Sequence, residues 1–569
     1  MRQDLTQQLA KLDECRRCYG RGCSASVEEA LLDLLGTEFP DVETLVSVHD
    51  GLLFLRAFPQ SPKVAQLAEK LLAHCGQQMA RLREKNADMT MLDDEQYSGI
   101  ANSVIWDTFT YDVAHWLVKR YPRQISVEWD IDEQGRQMAV ALPSVIPLIA
   151  DDCLVEADTP YLEWLARAAG GIEKILPWLM QRVWSLPGSV EQKTAWYDAL
   201  RIGIVWELGE SSASRTFARR NPARIYYHDE PLIRRNQVSL ADELGSPALR
   251  FRRLGRQEGE GLLDSVRDAL TVRYRELYGT TRGDPKDVVQ ADVGRGVSIF
   301  LWGLPAERRL PLRAYHAGIT FKNGVPINYI EGISLFEWME VGFNTFYTYR
   351  DGETAWIYSK VLHLLHQLAG ITCFSVYPYQ LGHENEEAIK SGAFWFYRKL
   401  GFRPGRPELV SLAEREGAKI ARNAAHRTSA ATLRKLASHH VFYEFGEGPR
   451  GLWDSFSVRN IGLAVQRRMA NRFHGDPEKM RKKAVATVQE TLAMNVSDLS
   501  PLERRAFEDF AIVLALVPEL ASWTRAEKQA IRKIVRAKTG ANEVDYLQRL
   551  QQHHGLRKAF LRLGSISSR

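Results

Sequence analysis

Apolar residues recur at helical spacing through the first part of the chain. Ala30, Leu31, Leu34 and Leu35 follow Ser26-Val27-Glu28-Glu29, a capping serine three residues before a glutamate. Val64, Leu67, Leu71 and Leu72 repeat that spacing, and Pro122 stops the last helix of this stretch. ISVEWDI and RQMAVAL then flank Asp132-Glu133-Gln134-Gly135, the pattern of a hairpin with glycine at its turn. Helical spacing resumes from Pro160 to Glu207. Residues 1–209 therefore read as a mainly helical domain with a small β-hairpin near 125–141. Residues 210–250 are arginine-rich and lack a long period, which predicts an irregular linker or lead-in.

The period changes further on. A helix is predicted from Glu258 to a stop at Gly279, and short apolar runs follow at Val297–Trp302, Ala314–Phe321, Val325–Ile330 and Val341–Tyr349. Lys322-Asn323-Gly324 joins two of them, and Asn-Gly is a strong hairpin signal. Ala355–Leu368 reads as a helix, Ile371–Tyr377 as a strand and Glu386–Leu400 as a helix. Strands, helix, strand, helix predict an α/β unit over 251–410, a mixed sheet with helices against it. Helical spacing then fills 411–569, with caps at Ser500-Pro501-Leu502-Glu503 and at Thr524 with Glu527. The fold class is thus α/β, flanked by mainly α-helical N- and C-terminal regions.

Composition adds exclusions. The chain has 569 residues, 45% apolar and 25% charged, which is ordinary for globular protein and rules out wholesale disorder. A net charge of +5 is too small at this size to argue nucleic-acid binding globally. The longest pure apolar run, Ala511 to Pro518, falls short of the roughly 20 residues a membrane span needs. MRQDLTQQLAKLDE has no apolar core of a secretory signal, and the six cysteines read as reduced thiols, so a cytoplasmic protein without a membrane partner is expected. Cys15-x-x-Cys18 with Cys23 has zinc-like spacing, but only one such pair exists, so a plain thiol cluster is read and no metal site.

The chemistry concentrates at 340–404. Phe394-Trp395-Phe396-Tyr397-Arg398-Lys399-Leu400-Gly401-Phe402 resembles the helix-to-strand signature of the GNAT superfamily of N-acyltransferases. Tyr349-Arg350-Asp351-Gly352-Glu353-Thr354-Ala355 is similar to that family's phosphate loop, where backbone N–H groups at a helix N-terminus hold the cofactor pyrophosphate. It departs from the pattern in one place: the glycine is at Gly352 and Glu353 takes the usual glycine position. Asn385-Glu386-Glu387-Ala388-Ile389 looks like the family's Asn-x-x-Ala-Ile stretch, followed here by Lys390-Ser391-Gly392-Ala393-Phe394. Those five residues are an insertion, or else Ala393 holds the family's alanine position. The resemblance covers roughly 250–410.

The resemblance implies an N-acyltransferase that uses acetyl-CoA or another acyl-CoA and an unidentified amine acceptor. It implies donor contacts from Phe346, Tyr347, Arg350, Gly352, Thr354, Ala355, Trp356 and Asn385. It places Tyr397 as the acid for the leaving thiolate and Glu340, or Glu337, as the base. Glu331 and His316 are weaker base candidates. The alternative is a non-catalytic GNAT-fold protein serving as a helical scaffold or nucleic-acid-associated module. Its support is the basic tail around Arg481, Lys482, Lys483, Arg532 and Arg536, which reads more simply as solvated helix faces.

Overall fold

A computed structural model describes residues 2–20, 22–128, 141–146, 160–423 and 425–565. In the N-terminal region α1 (Val42–Ala57) is apolar on nearly every side and is buried accordingly. Asp41 caps it by accepting from the Thr44 N–H at 2.8 Å. Ser61 caps α2 (Pro62–Glu84) in the same way, and the apolar stripe Val64, Leu67, Leu71, Leu72 packs inward as its spacing predicts. The cap expected at Ser26 is not used, because that helix already starts at Cys23.

Residues 1–209 divide between two cores. Those up to Ile100 share the main core with the large sheet, whereas Ile105, Leu117, Leu179 and Trp206 belong to a second. The second core surrounds a sheet of β1 (Val104–Asp107), β2 (Ile125–Glu128) and β3 (Gly203–Glu207), ordered β1-β3-β2 and antiparallel throughout. β1 and β3 lie where helix was expected. Trp206 and Ile204 are fully buried in this sheet, so long-range packing overrides the local pattern. The expected hairpin is corrected in part: β2 forms, but its partner is β3, and 129–140, the rest of that hairpin, lie outside the described residues.

The large sheet comprises β4 (Phe251–Arg253), β5 (Val288–Gly294), β6 (Val297–Trp302), β7 (Ala314–Lys322), β8 (Val325–Leu335), β9 (Trp338–Thr345), β10 (Cys373–Val376), β11 (Arg403–Pro404) and β12 (Val441–Glu444). Their order is β11-β12-β10-β9-β8-β7-β6-β5-β4. This is the mixed sheet the sequence predicts. The β7–β8 hairpin turns at Asn323 and Gly324, both at positive φ, as an Asn-Gly turn requires. Antiparallel pairing holds everywhere except between β9 and β10. A parallel pair needs a crossover, and α4 (Thr354–Ala369) supplies it. Between β4 and β5, α3 (Arg256–Thr271) ends well short of Gly279, and Tyr274, just beyond it, takes a positive φ. β12 inserts between β10 and β11, so the sheet runs past residue 410 to Glu444. The tail helices pack onto it: the Trp338 and Trp453 rings stack at 5.3 Å and Phe336 meets Phe560 at 5.7 Å. The capping boxes at Ser500 and Thr524 form as predicted.

The thiol reading needs correction. Cys18 and Cys23 form a disulfide, with their Cα atoms 5.6 Å apart. Cys15, Cys75 and Cys373 are free and buried. Among the described residues no helix is long and apolar enough to cross a membrane.

One buried charge cluster joins the regions. Glu353 precedes α4 and is 0% exposed. It accepts from the Ile233 N–H at 3.1 Å, from Arg295 Nε at 2.8 Å and from Lys322 Nζ at 3.4 Å. Burial pushes the Lys322 ammonium down to about 7, and Glu353 works against that. Next to it, Asn323 Nδ2 donates to the carbonyls of Ala57 and Tyr226. The cluster thus holds α1, the 210–250 segment, two hairpins and α4 together. That segment, expected as an irregular linker, carries a short helix at Leu240–Leu244 and is packed rather than loose. Glu353→Gln should destabilise the chain by about 3–5 kcal/mol, since it leaves two buried cations short of an anion. Chemical denaturation checks this, and a loss within experimental error would show that the cluster does not join these regions.

Candidate functional site

β9 pairs with β10 only through Trp338, Met339 and Glu340, then continues beside β8 to Thr345. The two parallel strands therefore part. A cleft of about 650 Å³ opens where they do, at their C-terminal ends. Crevices at the carboxyl ends of parallel strands are the usual ligand positions in such sheets. Phe343, Asn344 and Thr345 bring β9 to the wall, and Tyr379 and Gln380 bring the chain that follows β10.

The sequence predicts a strand through Tyr349. It ends instead at Thr345, and Tyr347–Tyr349 form a helical turn that carries Phe346 and Tyr347 onto the wall. Arg350 and Thr354 follow at the same edge. The Arg350 guanidinium stacks 4.0 Å from the Tyr347 ring and pairs with Glu387, and the Tyr347 hydroxyl donates to Glu387 at 2.7 Å. Burial pushes the Glu387 carboxyl up, but the Tyr347 hydroxyl and Arg350 outweigh it and hold it below its ordinary value. Behind this group α4 begins at Thr354, and among the described residues no side chain caps it. Its first N–H groups are therefore left for water or a ligand.

Glu353, the residue that departs from the loop pattern, turns away from the cleft into the buried cluster. Gly352 has no room for a side chain: a Cβ there would lie 2.6 Å from Phe58 Cζ. Ala355 is buried, Trp356 is half-buried beside Lys360, and neither lines the cleft. Asn385 lines it, but its side chain is already used to cap α5 (Glu386–Ser391), accepting from the Ala388 N–H at 3.1 Å.

The helix expected over 386–400 is two. Gly392 takes a φ of 66°, ends α5 and starts α6 (Ala393–Lys399). That bend puts Ser391 and Ala393 on the wall and aims Tyr397 at the cleft. Tyr397 is buried against Tyr358 and Phe402, and its hydroxyl donates to Gln380 Oε1 at 3.5 Å. Burial pushes that hydroxyl above its ordinary value, so it stays protonated at any physiological pH.

The carboxylates expected to serve as base lie elsewhere. Glu340 meets His440 at 2.9 Å, and Glu337 pairs with Arg557 and accepts from Trp453 Nε1. Neither lines the cleft, nor do Glu331 and His316. Glu331 accepts from the Tyr315 hydroxyl, and burial raises its carboxyl, whereas burial lowers the His316 imidazole. The carboxylates that do line the cleft are Glu95 and Glu387. Glu95 is paired with Arg275, and burial raises it despite that partner.

Three arginines escape the sequence reading: Arg215, Arg273 and Arg275 all line the cleft. Arg273 and Arg275 follow the true end of α3, in the stretch expected to form its last turns. Arg215 sits in the arginine-rich segment. Arg273 is 5% exposed, lies 4.2 Å above the Phe346 ring and donates to the Ala269 carbonyl. Burial pushes its guanidinium down to about 9. Arg215 is tied to Asp50 at 2.8 Å and to Thr348 Oγ1 at 2.9 Å.

Comparison with protein-family models, with curated proteins and with solved structures finds no match for this chain. Gly352→Ala should cost about 1–3 kcal/mol, the usual scale of overpacking, by driving a methyl into Phe58. Adding Phe58→Leu should recover part of the loss. Equal stability of Gly352→Ala and wild type, measured by denaturant titration, would refute this packing of the loop.

Proposed function

We propose that the chain is an N-acyltransferase with a GNAT-like sheet, taking an acyl-CoA donor, acetyl-CoA in the simplest case, and an amine acceptor. The observation that carries the reading is the parting of β9 from β10 into a cleft that has Tyr397 on one wall and the start of α4 at its edge. The resemblance calls for a donor arm lying between two such strands, beside Phe346 and Tyr347. The turn of Glu353 into the buried cluster also favours the reading, because it takes a carboxylate away from the phosphate position.

The residues present fit such a donor. Arg350 and the N–H groups at the start of α4 would hold its phosphates, with the helix end favouring negative charge. Arg350 would exchange Glu387 for phosphate in doing so. The donor supplies an activated thioester. The amine's nitrogen bonds to the acyl carbon as the carbon–sulfur bond breaks. Tyr397, kept protonated by burial, hands its proton to the departing sulfur. The proton lost by the amine goes to Glu95, the wall carboxylate that burial makes more basic; Glu340 lies off the cleft and is replaced in this role. Amide and free thiol are the products.

The scaffold or nucleic-acid reading draws less support. Arg481 pairs with Asp509 and Arg536 with Glu503, and Arg468 and Arg532 donate to backbone carbonyls of the bundle. Much of the tail's basic character is therefore consumed internally.

The test is release of free thiol from acetyl-CoA across a panel of amines. Tyr397→Phe should bind acetyl-CoA as wild type does and turn over about 10²-fold more slowly, the scale of one acid–base group. Arg350→Glu should lose donor binding while keeping the fold. Absence of both acetyl-CoA binding and thiol release in the wild type would remove the proposal.

A further inference from the structure

The cleft holds a cation that the donor reading does not use. Arg273 is almost wholly buried, yet among the described residues no carboxylate pairs with it. Asp50, which favours its charge from a distance, is bonded to Arg215. A guanidinium carries five N–H donors in a planar fork. The hydrogen bond to Ala269 and the contact with the Phe346 face leave the rest of the fork to the cleft. Behind it sit more cations. Arg215 lines the same wall, and Arg56 donates to the carbonyls of Thr216 and Arg215. His49 adds no charge, since burial and then Arg215, Arg56 and Arg273 push it well below its ordinary value.

Burying a cation without an anion is costly. A packing role for Arg273 would be filled as well by an apolar residue. A cation kept at a cleft wall is explained by a ligand that brings the counter-charge.

We infer that Arg273 forms a subsite for a carboxylate, so that the acceptor is a small amine bearing a carboxylate group. The word acceptor rests on the acyltransferase reading; the binding of a carboxylate does not. A carboxylate suits the place better than a phosphate. Its two oxygens match one edge of a guanidinium whose face and one nitrogen are already engaged. A phosphate finds its own position at the other edge of the cleft, with Arg350 and the start of α4.

The full chain can be titrated with glycine, glutamate, succinate and 4-aminobutyrate, with butylamine as the matched probe lacking a carboxylate, and with inorganic phosphate. Calorimetry and thermal shift are the readouts, each with and without acetyl-CoA. At least one carboxylate should bind saturably, and 4-aminobutyrate should bind more tightly than butylamine. Arg273→Gln should weaken carboxylate binding by at least about 10-fold, the scale of a charge-assisted hydrogen bond, and leave acetyl-CoA binding unchanged. Arg273→Lys keeps the charge, loses the fork and should fall between; it decides the matter if the glutamine variant does not fold. The inference is overturned if no carboxylate binds the wild type, if both variants bind carboxylates as tightly as the wild type, or if phosphate alone binds. Loss of acetyl-CoA binding in the variants would overturn it too, by assigning Arg273 to the donor. Donor binding without carboxylate binding removes this inference alone, and carboxylate binding without donor binding removes the acyltransferase reading alone.

Discussion

A carboxylate with no exposure to water must find cations, and Glu353 finds two. That requirement shapes the cleft. Arg295 comes from the β5–β6 turn and Lys322 from the end of β7, while the Ile233 N–H comes from the irregular segment before the sheet. Glu353 sits immediately before α4, so the same contacts fix where that helix begins. The helix start, in turn, sets the edge of the cleft where Arg350 and Thr354 stand. Buried ion pairs add little net stability against well-packed apolar residues. Their effect here is positional: each partner lies on a different segment, and one arrangement satisfies all of them.

The cleft itself arises from a pairing that stops. β9 and β10 share three residue pairs, and α4 must cross over between them because they run parallel. Past Glu340 the strands separate, and the segments continuing from each strand line the space between them. N-terminal residues complete it: Glu95, Gln96 and Arg215 come from outside the sheet region. The helical flanks are therefore part of the site's construction. One wall offers a helix start suited to phosphates. Another offers Arg273, which among the described residues has no carboxylate paired with it. On the proposed reading, a donor with phosphates and an acceptor with a carboxylate would divide these between them without competing.

Local signals in the sequence are legible. Asn323-Gly324 turns a hairpin, Ser500 and Thr524 cap helices, and the α/β order of 251–410 produces the mixed sheet. These depend on neighbours a few residues apart. Phe346, Tyr347, Arg350, Thr354, Asn385 and Tyr397 do meet in one cleft, although Asn385 serves as a helix cap there. The features that escape the sequence depend on distant partners. β1 and β3 exist because they pair across nearly a hundred residues, and β12 reaches the sheet from beyond its expected end. Glu340 resembles a base by its offset from the loop, but it is held by His440 on the strand side. The arginines of the cleft cannot be told from solvated ones in the sequence, since only tertiary packing buries them. Glu353 departs from the resembled loop pattern, and its partners, Arg295 and Lys322, are far off in sequence. The cysteines read as thiols because composition does not show that Cys18 and Cys23 pair.

Hydrogen exchange on the full chain with and without acetyl-CoA tests the central claim most directly, because it reports where a donor binds. New protection is expected over 343–356 and 379–397, the segments that wall the cleft, and none in the tail helix Pro477–Leu492. Unchanged exchange throughout the chain, or protection confined to segments away from the parting of β9 and β10, would contradict it.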